Sequence, residues 1–294
     1  MFYNFKMKNI KTIITKTPLR ISFFGGGSDI KKFSSKKKGM VISSTIDKFI
    51  YVTIKKHGNT FDEKYRLNYQ KSENVNSIDK IKNNIIRESL RYLNIREPLY
   101  ISTIADMPSM SGLGSSSSFT VGLLKGLLAL KNKNISKKKL AELACKIEID
   151  ILKSPIGKQD QYAAAFGGIN KFVFSGNRVS IFPINKKINP KFFFENLLLF
   201  FTGIYRSSNK ILSSIKLNSN NINSINNIVN NCENAYNIIL KNNKKKIIQL
   251  GRLFDKSWKI KKTLSNKISN QKINFSYNKA IKAGAYGGKI SGAG

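Results

Sequence analysis

The stretch that decides the fold is "PSMSGLGSSSS", residues 108–118, which holds two glycines, six serines and no charged side chain in a chain otherwise dense with lysine and asparagine. Glycine lets a backbone take positive φ and come close to a ligand, and serine hydroxyls add donors. A flexible Gly/Ser linker has the same composition. The residues after it argue against a linker: Phe119, Val121, Leu123, Leu124, Leu127, Leu128 and Leu130 recur at helical spacing, so the loop opens a buried helix. At a helix N-terminus the unpaired N–H groups and the positive end of the dipole make an anion site without any basic side chain. No lysine follows Gly114, so the segment is not a GxxxxGK[ST] loop. It reads as a phosphate loop of another kind.

At 294 residues, 41% of them hydrophobic, the chain is long enough for a substantial core in one large domain or two ordinary ones. No uncharged apolar stretch reaches the roughly 18 residues of a membrane span. "FFFENLLLFF" (192–201) comes closest, but Glu195 interrupts it and a buried strand is the better reading. The N-terminus lacks an apolar h-region and a small-residue cleavage site, so a cytoplasmic protein is expected. Cys145 and Cys232 have neither metal-type spacing nor the number for a disulfide framework. A formal charge of +36 invites a nucleic-acid reading. The lysines, however, are scattered through every segment and accompanied by a similar excess of asparagine and isoleucine, the pattern of a compositional bias. Runs such as "KKFSSKKK" and "KNNKKK" read as loops and solvated helix ends, no nucleic-acid-binding signature accompanies them, and nucleic acid is not an expected partner.

Along the chain, "TIITK", "RISFF", "MVISSTI" and "FIYVTI" read as strands between Ile10 and Ile54. "SIDKIKNNIIRESLRYLN" (77–94) has amphipathic helical spacing, "LYISTIAD" is a strand running into the Ser/Gly loop, and "SKKKLAELACKIEIDILK" (136–153) is a helix with Ser136 as N-cap. "GGINKFVFSGNRVSIFPI" reads as a hairpin. "NLLLFFTG" is then expected as a strand, and residues 205–283 as mostly helical. The asparagine-rich "NSNNINSINNIVNN" is read as helix because Ile222, Ile225, Ile228, Val229 and Cys232 share one face. A soft boundary near 185 divides domains of 10–185 and 186–294. His57, in the turn "KKHGNT", has no catalytic role, and Trp258 is packing.

Three glycine-punctuated segments carry the chemistry: "TPLRISFFGGGSD" (17–29), the loop at 108–118, and "SPIGKQDQYAAAFGG" (154–168). In this order and at these separations they resemble the kinases named for galactose, homoserine, mevalonate and phosphomevalonate, the GHMP superfamily. The first matches the family's P-x-R/K strand leading into a substrate turn, the second its P-x-x-x-G-L-G-S-S loop, the third its G-x-x-D-Q segment. Within the family, the "FFGGGSD" turn, "GKQDQYAAAFGG" and "FTGIYRSSNKIL" (201–212) look most like the branch acting on D-glycero-D-manno-heptose 7-phosphate. Galactokinase-type members carry Glu-His in the turn where this chain has Gly26 and Gly27, which opens the pocket to a larger or phosphorylated sugar.

The resemblance implies an α+β, two-domain fold with a ribosomal-protein-S5-domain-2-like N-terminal half and a ferredoxin-like C-terminal half. It implies ATP and Mg²⁺ as cofactors and a sugar phosphate as substrate, phosphorylated at its anomeric hydroxyl for nucleotide-activated heptose synthesis. Phosphoryl transfer needs a donor cradle, a metal and an oriented hydroxyl. By resemblance Pro108 and Ser111, Gly112, Leu113, Gly114, Ser115, Ser116 and Ser117 wrap the ATP phosphates. Ser116 and Glu148 supply metal ligands, with Asp150 a nearby decoy. Asp160 is the catalytic aspartate, partnered by Arg20. Gly26, Gly27 and Asp29 form the sugar turn, and Lys158 and Arg206 are the candidates to hold a substrate phosphate. "GGKISGAG" (287–294) matches only the beginning of a further glycine motif near the family's C-terminus, so an incomplete C-terminal domain is expected. The rival readings are a fucose- or galactose-type kinase and a truncated, inactive relative.

Overall fold

The computed structural model describes residues 12–58, 61–184, 190–241 and 246–292. The expected boundary near 185 and the tip of the "KKHGNT" turn fall outside them. Among the described residues seven strands form one sheet. The four short strands expected near the N-terminus merge into two long antiparallel ones, β1 (Thr12–Phe24) and β2 (Gly39–Lys56). Register shifts between Pro18 and Arg20 and between Ser22 and Phe24 bend the pair without breaking it. The first half of β2 pairs with β6 (Ile169–Ser175) and the second with β5 (Leu99–Ala105). β3 (Tyr65–Asn68) lies parallel to β5 and antiparallel to β4 (Ser72–Val75), while β7 (Arg178–Pro183) completes the expected hairpin with β6.

The helix expected over 77–94 is shorter than its periodicity suggests. A 3₁₀ turn, Ile78–Lys80, precedes α2 (Asn84–Tyr92). The break is held by Glu73, whose carboxylate accepts from the backbone N–H groups of Lys82 (2.6 Å) and Asn83 (3.0 Å), and by the Asn83 side chain, which caps the helix through Ile86 N–H at 3.1 Å. The helix after the Ser/Gly loop, α3 (Ser115–Leu130), is buried on nearly every side. It lies flush on the sheet because Gly122 and Gly126 face it. A Cβ at Gly122 would stand 2.6 Å from Thr17 Oγ1, and one at Gly126 2.7 Å from Ile54 Cδ1. Ser136 caps α4 (Lys137–Cys145) as expected, but the helix widens into a π-helical turn over Lys146–Ile151. α5 (Gln159–Phe166) packs beside α4 and α3.

Two layers of core sandwich the sheet. Leu19, Val52, Ile54, Leu67 and Leu99 pack under Leu90 of α2 and Leu123 and Leu127 of α3. On the other side, Phe23, Phe24, Met40 and Ile42 meet Cys232, Ala235 and Phe254 of the C-terminal helices. Those helices are α6 (Pro190–Glu195), α7 (Ser208–Ser213), α8 (Ser219–Leu240), α9 (Ile247–Thr263) and α10 (Gln271–Lys282); a one-turn α1 (Lys31–Ser34) follows the glycine turn. The asparagine-rich segment is the helix α8, with Ile225, Ile228 and Cys232 buried, and Trp258 is fully buried against Ile225 and Ile273. The strand expected over "NLLLFFTG" is not formed: residues 197–202 are irregular and Leu198 is 82% exposed. A strand needs a hydrogen-bonding neighbour, and among the described residues every strand lies between Thr12 and Pro183, in the single sheet. The described part of the C-terminal half is therefore the helical layer.

Candidate active site

The three glycine-punctuated segments converge at the N-terminus of α3. Arg20, on β1 and 3% exposed, is the hub. Its Nε donates to Asp160 Oδ1 at 2.7 Å and its Nη2 to Asp160 Oδ2, a two-pronged ion pair, while Nη1 donates to the Gly112 carbonyl at 2.7 Å. The Arg20 backbone N–H donates to the carbonyl of Leu113 at 3.0 Å, and the Leu113 side chain is itself buried in the main core. The strand thus holds both the loop and the aspartate in one geometry. Gly114, with φ of +78°, turns the chain into α3 directly over the guanidinium.

Beyond Pro108, the loop carries two serine hydroxyls, Ser111 and Ser115, that are shielded from solvent and meet no partner. Such orphaned donors suit an anionic ligand. The first backbone bond of α3 runs from Ser118 N–H to the Gly114 carbonyl, so the N–H groups of Ser115, Ser116 and Ser117 are the open first turn of the helix. The residues present fit a nucleotide phosphate.

Glu148 lies on the π-helical turn and is 2% exposed. Its Oε1 accepts from Ser116 Oγ at 2.6 Å and its Oε2 from Gln161 Nε2 at 2.7 Å. Burial raises its pKa against the lowering effect of these hydrogen bonds. No basic side chain forms an ion pair with it among the described residues, whereas Asp150 is half exposed and beside Lys146. A buried carboxylate next to a serine hydroxyl at the phosphate loop is a donor set that suits a hard divalent cation.

Asp29 closes the "GGGSD" turn from beneath. Gly25, at φ of +83°, passes so close to β2 that a Cβ would overlap the Met40 carbonyl. Asp29 Oδ1 accepts from Gly27 N–H at 3.1 Å and Oδ2 from Gln159 N–H at 3.0 Å, joining the turn to the start of α5. This explains the first residue of "GKQDQ": a Cβ on Gly157 would stand 1.9 Å from Asp29 Oδ2. Burial raises the Asp29 pKa, the bond from Gln159 lowers it, and the neighbouring Asp160 charge raises it again. Gln159 is fixed in turn by Ser22, whose hydroxyl donates to Gln159 Oε1 at 3.0 Å.

The two residues expected to hold a substrate phosphate are engaged elsewhere. The Arg206 guanidinium donates to the carbonyls of Ile268, at 2.9 Å, and Lys267, in the link between α9 and α10. Lys158 reaches the Gly176 carbonyl in the β6–β7 turn, at 3.5 Å. Two lysines outside the expected set also stand at the site. Lys261 of α9 donates to the Gly292 carbonyl at 2.7 Å, and Lys289 of "GGKISGAG" to the Ser22 carbonyl at 2.8 Å. Burial lowers the pKa of both, helped by neighbouring cations, and brings Lys261 to about 8. Lys289 is marked in the sequence by its glycine-rich context; Lys261 is one lysine among many.

A buried arginine–aspartate pair stands at the foot of a helix N-terminus whose open donors suit an anion, and comparison with known proteins gives the family. Residues 79–168 match the profile of the GHMP kinases N terminal domain. The chain is 34% identical over 301 aligned positions, 97% of its length and 87% of the relative's, to the D-glycero-alpha-D-manno-heptose 7-phosphate kinase of Campylobacter jejuni. A galactokinase of Pyrococcus furiosus is 28% identical over 203 positions, covering 66% of this chain and 54% of that one. Among solved structures, a D-glycero-D-manno-heptose 1-phosphate kinase from Bacteroides thetaiotaomicron superposes with a TM-score of 0.71 at 24% identity, covering 97% of this chain and 86% of that one. The galactokinase of Lactococcus lactis gives 0.68 at 16%, covering 97% and 83%. The chain belongs to the GHMP kinases, ATP-dependent enzymes that phosphorylate hydroxyl groups of small molecules.

Proposed function

We propose that the chain transfers the γ-phosphoryl group of ATP to the anomeric hydroxyl of D-glycero-D-manno-heptose 7-phosphate. The observation that carries the catalytic part is the double engagement of Arg20, which ties Asp160 and the Gly112 carbonyl to one guanidinium. Paired with a fixed cation, the Asp160 carboxylate can orient the acceptor hydroxyl and take its proton. Arg20 places positive charge where the transferring phosphoryl group gains negative charge. Ser111, Gly112, Leu113, Gly114, Ser115, Ser116 and Ser117 cradle the donor, with Pro108 setting the loop's entry. Ser116 and Glu148 would hold Mg²⁺, which when bound neutralises charge on the donor phosphates. Asp29 holds the Gly26–Gly27 turn open for the sugar. The acceptor is inferred from the relative with 34% identity and from a turn in which two glycines leave room for a large sugar. The domain division at about residue 185 belongs to the same proposal.

The test is ADP release from purified protein with Mg-ATP and D-glycero-D-manno-heptose 7-phosphate, beside the unphosphorylated heptose, fucose, galactose and Asp160→Asn. Turnover with a kcat/KM for the heptose phosphate well above that for the neutral heptose, none with fucose or galactose, and loss in the variant are expected. Turnover with fucose or galactose in its place would overturn the acceptor, and silence from folded protein with every acceptor would overturn the activity.

A further inference from the structure

Lys261 is a residue whose surroundings phosphoryl transfer alone leaves unexplained. It is 6% exposed on α9, its amine close to Gly26 of the sugar turn and bonded to Gly292, which packs against Gly112 of the phosphate loop. Among the described residues its ammonium has one hydrogen-bond partner, the Gly292 carbonyl, and no carboxylate within ion-pair distance. A Cβ built on Gly26 would come within 4.0 Å of Nζ, so the amine lies just above the glycine of the substrate turn that carries no side chain. Of the charges acting on it, Asp29 is the strongest, with Asp160 also favouring the cation and Arg20 and Arg206 opposing it. Lys289, bonded to the Ser22 carbonyl, adds a further cation to the same neighbourhood. A buried ammonium with one hydrogen bond and no ion-pair partner is unfavourable unless an anion completes it.

We propose that Lys261 is a specificity-determining residue that binds an anionic oxygen of the acceptor, the phosphate of a phosphorylated sugar, across the Gly26–Gly27 turn. The inference rests on the reading of the acceptor as a sugar phosphate. It accounts for three features together: the absent side chain at Gly26, the buried amine above it, and the engagement of Arg206 and Lys158 with backbone carbonyls. Arg206 then acts at a distance, holding the α9–α10 link that ends the helix carrying Lys261. The γ-phosphate of ATP offers the same oxygen chemistry, but it belongs at the α3 N-terminus, whereas the approach of the amine to Gly26, in the turn that Asp29 braces through Gly27, favours the acceptor side.

The experiment compares wild type, Lys261→Met and Gly26→Ala in steady-state kinetics with the 7-phosphorylated and unphosphorylated heptoses, each with ATP varied separately. Loss of a charge-assisted contact made in both ground and transition states raises KM with kcat nearly unchanged. Lys261→Met should therefore raise KM for the phosphorylated heptose about tenfold or more and leave that for the neutral heptose and for ATP within about twofold. Gly26→Ala, which adds a methyl group in the turn kept open for the sugar, should raise KM for both heptoses and serves as the steric control. Equal effects of Lys261→Met on both sugars, or an effect confined to ATP, would overturn the proposal. A readout free of turnover separates this from failure of the acceptor assignment: thermal stabilisation by inorganic phosphate with the donor site saturated by a non-hydrolysable ATP analogue. It should be present in wild type and in Asp160→Asn and absent in Lys261→Met. Wild-type stabilisation retained in Lys261→Met sinks the inference even if no heptose is turned over, and its loss supports the site even if the acceptor is a different sugar phosphate.

Discussion

Asp160 and Arg20 are a catalytic pair and a structural one, because the carboxylate is what compensates a guanidinium that is almost wholly buried. Asp160→Asn should therefore do two things. Turnover should fall by about 10²–10⁴, the usual contribution of a positioned base. Stability should fall as well, by roughly 1–3 kcal/mol, since the buried Arg20 keeps only the Gly112 carbonyl as a strong acceptor. Urea unfolding checks the second part; a midpoint equal to wild type would show that the pair does not form in solution. Lys261 gives a residue-scale test by pH. Its pKa is about 8 in the folded protein, below the ordinary 10.5, so between those values the unfolded chain binds the extra proton. Stability of wild type relative to Lys261→Met should therefore rise as pH goes from 8 to 10 and be level below 8, where both states carry the charge. A difference in Tm that stays flat across that window would mean that the amine is solvated.

The elements explain why these residues meet. α3 carries the phosphate loop to Arg20 only because Gly122 and Gly126 let it lie on β1 and β2. Gly126→Val should overpack Ile54 and cost about 1–3 kcal/mol, with a raised KM for ATP as the loop is lifted; unchanged Tm and KM would show that the sheet yields at Ile54 instead. Much of this level was legible in the sequence. The helical recurrence after Gly114, the hairpin at Gly176 and the face of Ile225, Ile228 and Cys232 are local patterns, and the structure repeats them. What could not be read depends on partners remote in the chain. The break before α2 is made by Glu73, the π-helical turn places Glu148 over Ser116, and the strand at Leu198 fails for want of a neighbour. The site shows the same division. Arg20, Asp29, Asp160 and the serine loop sit in motifs and are found together, while Glu148 is marked only by the family resemblance. The position of Lys261 depends on how α9 crosses the turn, and the engagements of Arg206 and Lys158 on loops that no motif describes.

At the scale of the whole molecule the governing quantity is the charge of +36. Most of it lies on scattered, solvated lysines that make few ion pairs, and it acts in two directions. Like charges repel in the compact state, which lowers stability, while the summed field draws anionic substrates toward a site already lined with Arg20, Lys261 and Lys289. Salt weakens both effects, since the screening length falls from about 30 Å at 0.01 M to about 8 Å at 0.15 M. The buried Arg20–Asp160 pair is shielded from this change by its burial. Raising KCl across that range should therefore raise Tm while lowering kcat/KM for the phosphorylated acceptor, by several-fold at least, and should leave kcat/KM for the neutral heptose far less affected. The opposed signs are the substance of the prediction. A general effect of salt on folding would move stability and activity together, and a fall in kcat/KM of equal size for the neutral sugar would mean that the lysines lend the enzyme no field its substrate can feel.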